Sequence, residues 1–459
     1  MKPYRSSRRS FLKGLTVTTA GGIILPNLLL RADETPAGKK LGIAAIGCGG
    51  KGESDLDAAS KENEVVAICD VDADTLARAA KKFPNAKQYR DFRKMLDEVK
   101  SIDAVTVSTP DHAHYPAAMH AIALGKHVCV QKPLTNTLWE ARELHKAAKK
   151  KGIISQMGNQ GHTYDDNRKL KEWLDAGVIG KVQEIHVWTN RPIWPQGNQV
   201  TFKPGDIPAN LDWPLWLAAT PDHPYSPDIH PFKWRGFLEW GAGAIGDMGC
   251  HLMDPIFNAL ELGMPQTAEA DMQELTDIAW PLGAVVTYHW KNHPKLGDVT
   301  MKWYEGKNAD GTPKLPVVPA ACGDLGKLPD GGWFIVGSEG AIFNKNDQCK
   351  DPQIFPEKRR AEFLATPPAQ KYARSPKAGQ PQEEWTLAIK NGKPFDFMSQ
   401  FDYSVPLTEL GLIGGLAMRV GKKIDWNSAK LEVTGMPEAA KYIKRAAYRP
   451  GWDYSSAKV

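Results

Sequence analysis

The sequence predicts an α/β fold, with a doubly wound parallel sheet at the N-terminal end and a second region of mixed strands and helices after it. Three observations predict it. Between residues 40 and 157, apolar runs of strand length alternate with segments of helix length. A glycine-rich stretch, GCGGKGE (47–53), follows the first of those runs. After about residue 160 the strand–helix rhythm fades, and one-sided alternation such as KVQEIHVWTN (181–190) takes its place.

The elements follow in order. KLGIAAIG (40–47) is a continuous apolar run, as expected of a strand buried on both faces, and SDLDAASK (54–61) can carry a helix. EVVAICD (64–70) is a second strand ending in Asp70, and DADTLARAAKKF (72–83) is a helix with Asp72 or Asp74 near its N-cap. SIDAVTVSTP (101–110) reads as the third strand, HYPAAMHAIALG (114–125) as a helix stopped by Gly125, and KHVCVQKP (126–133) as the fourth strand. TLWEARELHKAAKKKG (137–152) is an amphipathic helix ending at Gly152, and IISQMG (153–158) is the last strand. Beyond 160, a Pro- and Trp-rich stretch (191–235) reads as long ordered loops. TAEADMQE, GAVVTYHW, DVTMKWYE, GWFIVGSEG and GAIFNK read as strands, 306–330 and 350–382 as surface loops, and 405–421 as a helix. No internal repeat is evident.

The chain has 459 residues, 42% hydrophobic and 24% charged, enough for two domains with full cores. Six cations (Lys2, Arg5, Arg8, Arg9, Lys13, Arg31) lie in residues 1–32, which hold no acid, so the formal charge of +5 leaves the rest nearly neutral. That excludes a basic face for nucleic acid. Arg8 and Arg9 precede Phe11, Leu12 and Lys13, and an apolar stretch broken by Gly21, Gly22 and Pro26 follows. The stretch is shorter than the roughly 20 residues of a membrane span, so a targeting peptide is the better reading and no stable membrane insertion is expected. The pattern resembles a twin-arginine (Tat) signal, which implies export to the periplasm through the Tat machinery. Domain bounds read as 1–34 for the signal, 35–159 for the parallel-sheet domain and 160–459 for the rest. Six cysteines show no Cys-x-x-Cys spacing, so neither a disulfide framework nor a cysteine metal site is expected.

The glycines fall at a strand-to-helix turn. There Gly47 permits the tight turn, Gly49 and Gly50 let backbone approach a pyrophosphate, and Gly52 allows close helix–strand packing. Helix N-terminal amides favour the phosphates. Asp70 closes the second strand, where a carboxylate accepts ribose hydroxyls of NAD and repels the 2′-phosphate of NADP. The next cation along the chain, Arg78, lies a helix away. The expected cofactor is NAD, with NADP less favoured. Ligands of open α/β sheets bind over the carboxyl ends of the strands. Thr109, Pro110 and His114 (in STPDHAHY, 108–115) and Gln131 and Lys132 (in VQKPL, 130–134) lie at such ends. Lys132 alone reads equally as a solvated strand-end lysine or a catalytic one.

The glycine turn, Asp70, TPDHAH and the Lys-Pro pair together resemble the glucose–fructose oxidoreductase / inositol dehydrogenase (Gfo/Idh/MocA) family. LDWPLWL (211–217), HPFKWRGFLEWGAGAIGDMGCHLMDP (230–255) and YRPGW (448–452) are similar to it too. The resemblance implies an N-terminal Rossmann domain and a C-terminal α/β domain whose large, mostly antiparallel open sheet mediates a homodimer or homotetramer. The family's usual motif is Glu-Lys-Pro, and here Gln131 replaces the Glu.

Asp247 and His251, four residues apart, share a face if helical, a spacing that equally serves a structural hydrogen bond. Pro255 either kinks that helix or opens a new one capped by Asp254. The resemblance assigns Lys132, Asp247 and His251 as the catalytic Lys, Asp and His. In such an oxidation histidine takes the hydroxyl proton, Asp247 orients the imidazole, and Lys132 stabilises developing alkoxide. His162, His230, Trp234 and Arg235 are candidate sugar contacts, each equally open to a structural role. No metal-ligand cluster and no serine nucleophile elbow are present. The leading expectation is a periplasmic NAD(P)-dependent oxidoreductase acting on a secondary hydroxyl of a sugar, glycoside or polyol, with tightly bound cofactor. The alternatives are a glycosidase or lyase using transient oxidation, and a non-catalytic sugar-binding protein.

Overall fold

A computed structural model describes residues 40–273 and 275–454. The twin-arginine segment lies outside the described residues. The first sheet is built from β1 (Gly42–Ile46), α1 (Lys51–Ser60), β2 (Glu64–Cys69), α2 (Ala73–Lys82), β3 (Lys87–Tyr89), α3 (Phe92–Glu98), β4 (Ala104–Val107), α4 (Asp111–Ala123), β5 (His127–Val130), α5 (Leu138–Lys151) and β6 (Ser155–Met157). Its six strands run parallel in the order β3-β2-β1-β4-β5-β6. β1 and β4 are buried along their whole length, as continuous apolar runs between two helical layers must be. Helix ends follow local chemistry. Asp72 accepts amide protons from Asp74 and Thr75 to start α2, Thr137 caps α5, and Gly152 ends α5 in the left-handed region behind three lysines.

The run at 101–110 supplies the fourth strand rather than the third, because β3 and α3 intervene. β3 has only three residues, none buried, which leaves no apolar periodicity to read. The chain leaves β1 in one direction to β2 and β3 and returns past it to β4. The strand order therefore reverses between β1 and β4, where a crevice opens over their carboxyl ends.

The second sheet has nine strands in the order β13-β12-β11-β7-β10-β9-β8-β14-β15. It comprises β7 (Val182–Thr189), β8 (Thr267–Gln273), β9 (Gly283–His293), β10 (Gly297–Gly306), β11 (Gly331–Gly337), β12 (Ala341–Asn344), β13 (Gln353–Phe355), β14 (Ile424–Asn427) and β15 (Glu432–Val433). The β7–β10 pair is parallel and its other pairings are antiparallel. Its helices are α6 (Asp165–Asp175), α7 (Trp213–Leu217), α8 (Gly243–Leu252), α9 (Asp254–Leu260), α10 (Glu357–Ala365), α11 (Pro381–Lys390), α12 (Phe401–Val420) and α13 (Ala440–Ile443). The 350–382 stretch, expected as loop, holds β13 and α10, and α10 buries no residue.

Two helices fix the site. α8 lies between the sheets, packed on α12 and on β7, β10 and β11. α11 brings the chain back to the first sheet, where it packs on α1 and β6 and Trp385 Nε1 donates to Ile154 O at 3.0 Å. The 191–240 stretch forms its own aromatic cluster, with Trp213 and Trp216 stacked at 4.5 Å beside Tyr225, Trp234 and Trp240. Among the described residues no helix is long and apolar enough to cross a membrane.

Candidate active site

The crevice widens into a cavity of about 670 Å³. The glycine turn enters it directly behind β1. Gly47 has φ +85°, and a Cβ there would sit 2.6 Å from Ser108 O, so both conformation and space demand glycine. Gly49 and Gly50 line the cavity, with open space above Gly50. Gly52 faces the other way: a Cβ there would meet Gly47 O at 2.2 Å, so it seats α1 against the turn.

Asp70 lines the same cavity. Its Oδ2 accepts from Cys48 N at 2.8 Å and its Oδ1 from Asp72 N at 2.9 Å, so the acid also holds the turn in shape. Burial pushes its carboxyl above the ordinary value, against those amides and Arg78. Arg78, a helix away along the chain, lines the cavity, and so does Arg90. Arg90 donates to Val71 O and Asn210 O, and Arg78 donates to Thr75 Oγ1 at 2.9 Å.

At the other end Lys132 Nζ donates to Asp247 Oδ1 at 2.8 Å and to Asp247 O at 2.9 Å. Arg235 Nε lies 3.6 Å from the same Oδ1. Burial alone would raise the Asp247 carboxyl, but Lys132, Arg235 and His251 outweigh it and hold it below the usual carboxylate range. The recorded partners of Asp247 are thus Lys132 and Arg235. Its expected role of orienting the imidazole of His251 is not met by a hydrogen bond. His251 lines the cavity, and its buried Nδ1 has no protein partner. Burial pushes its imidazole down to about 3, Lys132 adds to this, and Asp247 opposes it. Asp247 and His251 both stand on α8. The chain breaks at Met253 and α9 restarts at Asp254 with Pro255 in its first turn, so the proline opens a new helix rather than kinking the old one.

The remaining expected residues divide. Thr109, Pro110, Gln131, His230, Trp234 and Arg235 line the cavity. The Arg235 guanidinium lies 4.2 Å over the Trp234 ring and 4.6 Å from that of Phe232. His114 does not line it. Its buried ring nitrogens lie 2.8 Å from Pro133 O and from Thr109 O, which ties together the two loops that do. Burial lowers its imidazole to about 4. His162 is likewise absent from the lining. It is 1% exposed, with Nδ1 2.9 Å from Asp254 Oδ1, so the structure places it in the polar interior behind the lining.

Sequence reasoning missed Asp111, Lys51 and Trp216, all of which line the cavity. Asp111 opens α4, and its Oδ2 accepts from Ala242 N, the residue before α8, at 3.0 Å. Burial raises its carboxyl to about 7 against Arg235 and Lys132. Its place within TPDHAH was the available signal.

Comparison with known proteins follows the same division of the chain. Residues 41–159 match the family model for the NAD-binding Rossmann fold of the Gfo/Idh/MocA oxidoreductases, and residues 166–293 match the model for that family's C-terminal alpha/beta domain. Together the two cover more than half of the chain. The chain is 24% identical over 190 residues to the scyllo-inositol 2-dehydrogenase (NADP(+)) IolW of Bacillus subtilis, covering 41% of this chain and 43% of the relative. It is 26% identical over 187 residues to the levoglucosan dehydrogenase of Pseudarthrobacter phenanthrenivorans, covering 41% and 40%. The chain thus spans less than half the length of these curated relatives. The fold matches the WlbA dehydrogenase of Bordetella pertussis, solved with NADH and UDP-GlcNAcA, at a TM-score of 0.59 and 16% identity, over 85% of this chain and 99% of that one. With its two family domains in order and its two sheets in the matching fold, the chain belongs to the Gfo/Idh/MocA oxidoreductase family.

Proposed function

We propose that the protein oxidises a secondary hydroxyl of a sugar, glycoside or polyol with a tightly held nicotinamide dinucleotide, NAD in preference to NADP. The observation that carries this reading is a single cavity that holds the glycine turn and Asp70 together with the Lys132–Asp247 pair and His251. The residues fit the cofactor. Gly50 leaves bare backbone on open space at the start of α1, Gly49 lines the cavity beside it, and Asp70, in the same cavity at the end of β2, is the group that accepts the ribose hydroxyls in this reading. Bound there, the nicotinamide supplies the hydride acceptor.

The chain's own residues handle the proton and the developing charge. An ammonium has three donors. Two of those on Lys132 go to Asp247, which leaves one for the substrate oxygen. Lys132 stabilises negative charge on that oxygen, Asp247 holds the ammonium in place, and Arg235 lies against the same Asp247 carboxylate. His251 is neutral at physiological pH, the state in which an imidazole accepts a proton. Trp216 and Trp234 give the cavity flat apolar walls of the kind that stack on sugar rings. The same groups serve glycoside cleavage through transient oxidation, since its first step is identical. Export as a Tat-signalled periplasmic protein is proposed from Arg8 and Arg9, and self-association through the open nine-stranded sheet is proposed from the family resemblance and the sheet's width.

The test is a panel of glycosides and polyols offered to the purified full-length chain with NAD, read by nicotinamide absorbance and product analysis. Net reduction of NAD supports the oxidoreductase, and cleaved product without net reduction supports the redox-neutral route. Sugar binding with neither outcome across the panel overturns the catalytic reading.

A further inference from the structure

Beneath the cavity floor lies a buried carboxylate that the proposed chemistry does not use. Asp55, on the second turn of α1, is 1% exposed. Four donors converge on it. Ser108 Oγ and Gln131 Nε2 donate to Oδ2, each at 2.7 Å. Gln382 Nε2 donates to Oδ1 at 2.8 Å, and Lys51 Nζ donates to the same atom. A carboxylate has about four acceptor sites, so the group is saturated.

The four donors come from separate places in the chain. Lys51 follows the glycine turn after β1, Ser108 follows β4, Gln131 follows β5, and Gln382 stands on α11. Three of them line the cavity, and Gln131 adjoins Lys132. The orientation of the Gln131 amide is forced, because a carboxylate can face only its donor side. Space for that amide is kept by Gly158, where a Cβ would sit 2.2 Å from Gln131 Nε2. A glutamate at 131 would place two buried carboxylates in contact.

We propose that Asp55 is a positioning residue that sets Lys51, at the phosphate end of the cavity, and Lys132, through Gln131, at the reacting end, and that residue 131 is glutamine because this carboxylate requires a donor there. The assignment rests on the proposed role of Lys132 for its catalytic half only. Its cofactor half rests on Lys51 and the glycine turn.

The experiment uses cofactor-free full-length protein and two readouts, the dissociation constant for NADH by fluorescence titration and the thermal midpoint. Gln131→Glu weakens NADH by about tenfold, the scale of one lost charge-assisted hydrogen bond. Combining Gln131→Glu with Asp55→Asn moves the charge without changing its amount. The Asn oxygen keeps Lys51 and Gln382, while its amide donates to Glu at 131 and to the Ser108 hydroxyl. This pair returns NADH affinity to within about threefold of the parent. Should Gln131→Glu alone fail to fold, the transposed pair decides by itself, and a pair that folds but binds no better than tenfold below the parent overturns the proposal. A second cycle separates positioning from general stability. Asp55→Asn weakens NADH in the parent but adds nothing in a Lys51→Met background, although it lowers the thermal midpoint in both. Additive losses of affinity in that cycle overturn the cofactor half. Because the titration involves no sugar, it stands whether or not the dehydrogenase reading does.

Discussion

Asp111→Asn separates what the cavity demands from what the fold prefers. The carboxyl is 6% exposed, and burial raises it from 3.8 to about 7 despite Arg235, Lys132 and the Ala242 amide. Between those two values the folded chain holds a proton that the unfolded chain has released. Stability therefore falls as pH rises through that window, and the loss is complete only above the folded value. At 1.36 kcal/mol for each pH unit, the cost near pH 7 is about 4 kcal/mol, and near pH 4 it is below about 1 kcal/mol. Asparagine carries no titrating proton and keeps an oxygen for Ala242 N, so it removes the cost and retains the tie to α8. The variant should therefore be more stable than the parent by roughly 2–4 kcal/mol at pH 7 and nearly equal to it at pH 4. Thermal unfolding of both proteins from pH 4 to pH 8 measures this directly. Turnover should fall by about tenfold near and above pH 7, because asparagine cannot take up the negative charge that Asp111 acquires there and that acts on Arg235 and Lys132. A stability difference that is flat across this range, or a variant less stable at pH 7, refutes the reasoning.

Three further outcomes are expected. Lys132→Ala and His251→Ala each lower turnover by about 100-fold or more while NADH titration shows the cofactor still bound; near-normal turnover in either assigns that residue to structure. Asp70→Ala weakens NAD by roughly 1–3 kcal/mol, through lost hydrogen bonds to the ribose and a loosened turn, and weakens NADP less; apo-protein that binds NADP more tightly than NAD reverses the proposed preference, and Arg78→Ala then tests the cation responsible. Replacing Arg8 and Arg9 by Lys retains precursor in the cytoplasm, and protein purified without added cofactor releases dinucleotide on denaturation; unchanged export or an empty site removes the corresponding half of that proposal.

Elements buried on both faces were legible, because a strand such as GIAAI has no polar position to blur it. β3 was not, since KQY is a three-residue edge strand with no fully buried side chain to give a period. The glycine turn was legible for a related reason. Its geometry is local, set by Gly47 against Ser108 and Gly52 against Gly47. Partner choice among charged groups is not local. The i, i+4 spacing of Asp247 and His251 invited a pair, yet the carboxylate goes to Lys132, in the loop after β5 of the other sheet. A buried acid is stabilised far more by an ammonium than by a neutral imidazole. Likewise His162 reads as a polar residue near the site, but Asp254, 92 residues on, takes it into the interior.

These non-local pairings share one arrangement. Asp247 on α8 holds Lys132 from the loop after β5, Asp111 on α4 holds the amide before α8, and Asp55 on α1 holds Gln131 and, from α11, Gln382. Each acid joins the cofactor-binding sheet to an element contributed by the later part of the chain, or joins two loops of that sheet at the cavity. A buried carboxylate is costly unless each acceptor finds a donor, so each such joint tolerates little displacement of either side. The reacting end of the cavity is therefore positioned by acids that no local motif marks as a set, and a substitution at any of them should lower turnover.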